Sequence, residues 1–257
     1  MAQDAIITMV PEGVHVRAVY LTPESGILAA DLAGKLLVDC STIDTATSLE
    51  VGDAIRKHSP TATFHDAPVS GGVLGAEAGT LTIMLGAAPS APSLSRATAL
   101  LSLLGASVVP CGGPSLGLTA KLCNNYCSGL IAIATSEAFN IGMRAGMDPR
   151  VLQRVFAGSI AQSCINDRWN PVPGLCPRAP PSNGYRPGFK VGLMRKDFNL
   201  AVETARRVGA TLALGDAGLQ VYTEAMDDER CKDLDSRVVF RYLGGDEEWA
   251  SASQDEP

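Results

Sequence analysis

The 257 residues contain no G-x-G-x-x-G and no G-x-x-x-x-G-K-[ST], so neither common backbone cradle for nucleotide phosphates can be read from the chain. Lys and Arg do not cluster, and 21 basic against 27 acidic residues leave a net charge of −6. That balance argues against nucleic acid as a partner. Apolar runs are short and broken by Gly, Pro and polar residues, so no membrane span is expected. The seven cysteines include no C-x-x-C pair. Cys123 and Cys127 share a helical spacing, but no histidine lies near them, and His15, His58 and His65 show no ligand spacing. No metal site is expected, and free thiols in a reducing compartment are the better reading. The start, Met1-Ala2-Gln3-Asp4-Ala5, reads as neither a signal peptide nor an Arg-rich transit peptide.

What is present is an ordinary globular composition, 46% hydrophobic, in two dissimilar halves. Residues 5–10 read as a buried strand stopped by Pro11, and 36–40 as a second strand. Asp44 is placed to cap a helix running to about His58, and 61–66 is a third strand. Strand, helix, strand at this spacing predicts parallel βαβ units. A fourth strand is expected at 80–86, a helix at about 90–104 and an edge strand at 107–110. A long helix, 115–144, then begins a helical half. Asp148-Pro149 marks a helix start, a Pro/Gly-rich loop covers about 170–192, and helices are expected at 196–208, 215–226 and 233–243. The expected fold is therefore a partial Rossmann-like α/β domain over 1–113 and an all-helical domain over 114–245. A disordered acidic tail is expected over 246–257.

Within this frame one charge is conspicuous. Lys121 is the only charged residue between Arg96 and Glu137, early in the long apolar helix. Asn125, four residues on, shares its face. Lysine is rarely buried without a partner, and burial disfavours the ammonium, which suits a lysine to proton transfer near neutral pH. The plainer alternative is a lysine snorkelling from a half-buried helix. Upstream, Phe64-His65-Asp66-Ala67-Pro68 reads as a strand breaking into a loop, after which Ser70, Gly71 and Gly72 offer a hydroxyl and approachable backbone N–H groups. Such a nest suits a small carboxylate, although most Ser-Gly-Gly tripeptides are simply turns.

Six ordered motifs together identify a family. They are Ile6 to Pro11, Val38-Asp39-Cys40-Ser41-Thr42-Ile43-Asp44, Asp66 to Gly72, Ala120-Lys121-Leu122-Cys123-Asn124-Asn125, Trp169-Asn170-Pro171-Val172-Pro173-Gly174, and Leu193-Met194-Arg195-Lys196-Asp197. The chain resembles the 3-hydroxyisobutyrate dehydrogenases of the β-hydroxyacid dehydrogenase family over nearly its whole length. The resemblance implies NAD-dependent oxidation of 3-hydroxyisobutyrate to methylmalonate semialdehyde, a step of valine breakdown, by a homo-oligomer. It would be mitochondrial in a eukaryote and cytoplasmic otherwise. By position it makes Lys121 the catalytic lysine with Asn125 beside it, and assigns Ser70, Gly71 and Gly72 to the substrate carboxylate. Val10, Pro11, His15, Thr42 and Lys196 are assigned to the cofactor. Lys196 also reads, with Arg195 and Asp197, as a solvated helix start. Relatives such as tartronate semialdehyde reductase are alternatives, as is a non-catalytic binding protein. Against the family pattern, the glycine fingerprint and first βαβ unit are absent, which predicts weak NAD affinity and impaired activity for these 257 residues.

Overall fold

The computed structural model describes residues 4–252 and divides after Asn124 into two compact units. In the first, strands β1 (Ala5–Thr8), β2 (Leu36–Asp39) and β3 (Thr63–Asp66) form a sheet in the order β1-β2-β3 with both pairings parallel. The register sets Thr8 beside Asp39 and Asp39 beside Asp66, so three polar residues share the carboxyl edge of the sheet. β2 is central and buried throughout, which is why Leu36, Leu37 and Val38 form an apolar run up to Asp39. A second sheet follows the order β4-β5-β6, with β4 (Val69–Ser70) antiparallel to β5 (Thr82–Leu85) and β5 parallel to β6 (Ser107–Pro110).

Helices cover both faces of this unit. Helix α1 (Gly13–Leu21) follows β1, and α2 (Thr45–His58) follows β2. Their residues Val16, Tyr20, Val51 and Ile55 pack with Leu37 in one apolar cluster. Leu36 and Val38 belong to another cluster, with Ile83 and Leu85 of β5 and with Ala97 and Leu101 of α4 (Leu94–Leu101). Alternation along β2 thus feeds two cores. The predicted cap of α2 is present: the Asp44 carboxylate accepts from Thr47 N at 2.8 Å and Thr47 Oγ1 at 2.6 Å. Arg56, Lys57 and His58 occupy its last turn, where cations favour the helix dipole.

Helix α1 and the short α3 (Gly72–Glu77) were not expected from the sequence. The strand expected over 5–10 ends at Thr8, because Val10 N donates to the Ser41 hydroxyl instead of continuing a ladder. Helix α5 (Leu116–Arg144) begins in the first unit and runs on into the second. That unit is helical: α6 (Pro149–Ala157), α7 (Cys164–Arg168), α8 (Val191–Val208), α9 (Gly215–Asp227), α10 (Val239–Tyr242) and α11 (Trp249–Ala252). Asp148 caps α6 through Arg150 N, with proline at the first position. Helix α8 starts five residues before the expected Lys196, at Val191, whose N–H donates to Leu234 O. Phe198 and Val202 of α8 and Tyr222 and Ala225 of α9 form the centre of this core.

The acidic stretch expected to be disordered from Asp246 departs from that expectation as far as it is described. Trp249 is 8% exposed, packs with Phe139, Val172 and Phe240, and donates its indole N–H to Pro173 O at 2.9 Å. Glu247 pairs with Arg241. One tryptophan among small acidic residues carries enough apolar area to dock the segment. Residues 253–257 lie outside the described residues. No described helix is long and apolar enough to cross a membrane. No group of described side chains has the makings of a metal site, and all seven cysteines are unpaired thiols.

Candidate active site

The carboxyl edge of the β1-β2-β3 sheet is locked by a directional chain of hydrogen bonds. Asp39, 1% exposed, accepts at Oδ1 from Thr8 Oγ1 at 2.9 Å and from Ser41 Oγ at 2.6 Å. Both hydroxyl protons are therefore committed to the carboxylate. Thr8 in turn accepts from the Tyr20 hydroxyl at 2.8 Å, and Ser41 from Val10 N at 2.9 Å. Burial pushes the Asp39 carboxyl above the ordinary range, and the Ser41 and Thr8 bonds pull it back. This chain fixes the loops after β1 and β2, which carry Val10, Pro11 and Thr42. In parallel sheets ligands bind beyond such strand ends. His15 sits exposed on α1, outside the chain of bonds.

The second group gathers where β3 ends. Ser70 pairs with Thr82 across β4 and β5. Gly71 and Gly72 follow at φ +141° and +63°, conformations that side chains rarely adopt. A Cβ on Gly71 would sit 2.9 Å from the Leu81 side chain. The loop therefore needs glycine for its backbone as well as for access. Asp66, absent from the sequence-derived site, is buried here: its Oδ1 accepts from Ser115 N at 2.7 Å and its Oδ2 from Leu118 N at 2.8 Å. Burial raises its carboxyl above the usual range, against those two N–H groups and the neighbouring His65. His65 is buried too, its Nδ1 3.1 Å from Gly86 O and its Nε2 2.8 Å from Ser93 Oγ. A carbonyl can only accept, so Nδ1 carries the proton and Nε2 accepts from Ser93. Burial holds the imidazole below its ordinary pKa.

Lys121 is 8% exposed on α5, more deeply covered than the half-buried lysine of the plainer alternative. Asn125, 5% exposed, lies one turn on. In the second unit the Asn125 amide donates to Asp197 Oδ2 at 2.6 Å, and Lys196 Nζ lies 3.1 Å from Asp197 Oδ1. The structure thus joins two predicted residues through a third, Asp197, that is 1% exposed. Lys196 is not a solvated helix start, because its side chain is only 20% exposed and paired. Asp197 had a sequence signal, an acid directly after a motif lysine. Asp66 had a comparable one, an acid directly before Ala67-Pro68. Neither spacing reveals partners 72, 49 or 52 residues away.

The first unit, a parallel α/β sheet with ordered loops at its carboxyl edge and Lys121 buried near the start of α5, has the architecture of a nucleotide-binding domain. Residues 1–113 match the family model described as the NAD binding domain of 6-phosphogluconate dehydrogenase. Residues 116–243 match that described as NAD-binding of NADP-dependent 3-hydroxyisobutyrate dehydrogenase. The chain is 44% identical over 220 residues to the "Probable 3-hydroxyisobutyrate dehydrogenase, mitochondrial" of Dictyostelium discoideum, covering 86% of this chain and 67% of that one. It is 38% identical over 245 residues to the 3-hydroxyisobutyrate dehydrogenase of Pseudomonas aeruginosa, covering 95% and 80%. The solved 3-hydroxyisobutyrate dehydrogenase of Mycobacterium tuberculosis with L-serine superimposes with a TM-score of 0.84 at 35% identity, over 93% of this chain and 79% of that one. The chain belongs to the 3-hydroxyisobutyrate dehydrogenase family.

Proposed function

We propose that the protein oxidises the primary alcohol of 3-hydroxyisobutyrate, or a closely similar small hydroxy acid, to the semialdehyde with NAD. The observation that carries this reading is Lys121, a buried lysine on an otherwise uncharged stretch of helix, at the family's catalytic position. Val10, Pro11 and Thr42, on loops fixed by the Val10–Ser41 bond, fit the nicotinamide nucleotide at the end of a parallel sheet. When bound, that cofactor takes the hydride from the alcohol carbon. Ser70 and the backbone of Gly71 and Gly72 hold the substrate carboxylate, which orients the reacting carbon. Lys121 Nζ accepts the hydroxyl proton, and the resulting ammonium steadies charge developing on the oxygen. Asp197 restrains Asn125 and pairs with Lys196, so neither side chain needs reordering when ligands arrive. In a eukaryotic cell the same reading places the protein in the mitochondrion, as the name of the Dictyostelium relative states for that protein. Family likeness also implies self-association, which sedimentation measures directly.

The test is Lys121→Ala. Loss of a proton-transfer group costs on the order of 10²–10⁴-fold in kcat, with the fold intact by circular dichroism. Turnover within a few-fold of wild type ends the assignment. A second reading, a binding protein without turnover, is favoured by the missing G-x-G-x-x-G in these 257 residues. On that ground we expect weak NAD affinity from this chain. Calorimetric titration with NAD decides, and tight binding with ordinary turnover removes the second reading.

A further inference from the structure

We propose that Asp66 is a positioning residue that sets where helix α5 starts, and thereby where Lys121 stands relative to the Ser70-Gly71-Gly72 loop. The proposal rests on the assignment of Lys121 made above. Three observations carry it. First, both oxygens of a carboxylate 2% exposed are spent on the first turn of α5, Oδ1 on Ser115 N and Oδ2 on Leu118 N. One planar group holding two amides three residues apart fixes the position of the helix and its rotation about its own axis. Lys121 follows Leu118 by three residues, on nearly the same side.

Second, the same residue is tied by its backbone to the strand that frames the carboxylate loop. Asp66 O accepts from Gly86 N at 2.7 Å, and Pro68 O accepts from Met84 N at 2.9 Å. Val69 and Ser70 then pair with Ile83 and Thr82. Only Ala67, Pro68 and Val69 separate the anchor of the lysine helix from Ser70. Both parts of the site therefore take their position from β5.

Third, the surroundings leave the anchor no slack. A side chain on Gly86 would overlap the Asp66 carboxylate, and one on Gly117 would overlap the Met84 carbonyl oxygen. Ser115 is held at φ +65°, with its hydroxyl donating to Thr45 O at 3.1 Å. A left-handed non-glycine residue is strained and persists only where its neighbours over-determine it. An ordinary helix cap would need neither arrangement.

The experiment uses the full chain, with lysine side chains isotope-labelled and the Lys121 signal assigned by its loss in Lys121→Arg. In Asp66→Asn one of the two amides faces an NH₂ group instead of an acceptor. The Lys121 signal is expected to move while that of Lys232 stays. Amide exchange at Ser115 and Leu118 is expected to accelerate at least ~10-fold. In turnover, kcat for the hydroxy acid falls about 10–100-fold with KM within roughly 3-fold, as displacement of an otherwise intact group predicts. If Asp66→Asn does not fold, Asp66→Glu, which keeps the charge one methylene too far out, is read the same way. A folded variant that loses thermal stability but leaves the Lys121 signal and both exchange rates unchanged overturns the proposal. Should Lys121→Ala keep its turnover, the catalytic assignment falls separately, and signal and exchange still judge the tie between Asp66 and α5.

Discussion

Gly117→Ala inverts the usual expectation for a helical glycine. Replacing glycine by alanine inside a helix normally stabilises by about 1 kcal/mol. At position 117 the new methyl would overlap the Met84 carbonyl oxygen and lie 2.8 Å from Asp66 Oδ2 and 2.9 Å from Gly86 N. Two of these three atoms are backbone in or beside β5, and the third is a carboxylate held by two amides. None can turn aside as a flexible side chain would, so the first turn of α5 must lift away. Overpacking of this kind costs typically ~1–3 kcal/mol, and loss of either Asp66 bond adds on the order of 1.5–3 kcal/mol, because the acceptor is charged. Against these, the helix-propensity gain of about 1 kcal/mol leaves a net destabilisation of about 1.5–5 kcal/mol. For a chain of this size that corresponds to a fall in Tm of roughly 3–20 °C. Gly192 serves as the control. It lies in α8, and the nearest atom to its added Cβ is Met226 Sδ at 3.6 Å, an ordinary contact. Gly192→Ala should be neutral or stabilise by up to ~1 kcal/mol. Urea unfolding followed by circular dichroism measures both. A stabilising Gly117→Ala, or equal effects at the two positions, refutes the reasoning.

Further outcomes test other parts of the molecule. Ser70→Ala should raise KM for the hydroxy acid several-fold with little change in kcat, because the hydroxyl binds ground and transition states alike; a change confined to the KM for NAD would place the loop on the cofactor instead. His65 is held below its ordinary pKa by burial, so the folded state binds fewer protons than the unfolded chain as acid is added. Its contribution is complete above about pH 6.5 and is lost as pH falls through and below that value. The difference in Tm between wild type and His65→Gln should therefore shrink from about pH 7.5 to pH 5; a constant difference would show that His65 titrates alike in both states. Trp249→Ala removes a buried indole and its bond to Pro173 and should cost about 3–5 kcal/mol, whereas a shift in midpoint below ~0.5 kcal/mol would mean that the segment does not support the helical core.

Much of the scaffold could be read from local chemistry. Asp44 and Asp148 announce helix starts because an N-cap is a contact between residues two or three apart. β2 is visible because a strand covered on both faces is apolar through Leu36, Leu37 and Val38 before Asp39 ends it. Lys121 stands out because the residues around it are uncharged. Helix α1 is not legible in the sequence although Val16 and Tyr20, four apart and fully buried, carry its period, because Pro11 stops the strand without marking a helix start at Gly13. Asp66 and Asp197 escaped for a different reason. Their roles lie in partners far along the chain, and a carboxylate that will meet two amides looks, in sequence, like any other. The docking of Trp249 against Pro173 is of the same kind, since the tail composition is that of a solvated segment and a single side chain reverses it.

The chain of bonds from Tyr20 and Val10 into Asp39 has a consequence for how this sequence can drift. Every proton in it points the same way: tyrosine to threonine to carboxylate on one side, backbone to serine to carboxylate on the other. An amide at position 39 keeps these bonds only with its Oδ1 toward the hydroxyls; turned with its NH₂ toward them, it leaves the Thr8 and Ser41 protons without their acceptor. Thr8, Asp39 and Ser41 therefore behave as one inherited character rather than three. Among related sequences they should be kept together or exchanged together, and a chimera that takes β1 from one relative and β2 from another should be stable only when both parents carry the same three-residue state.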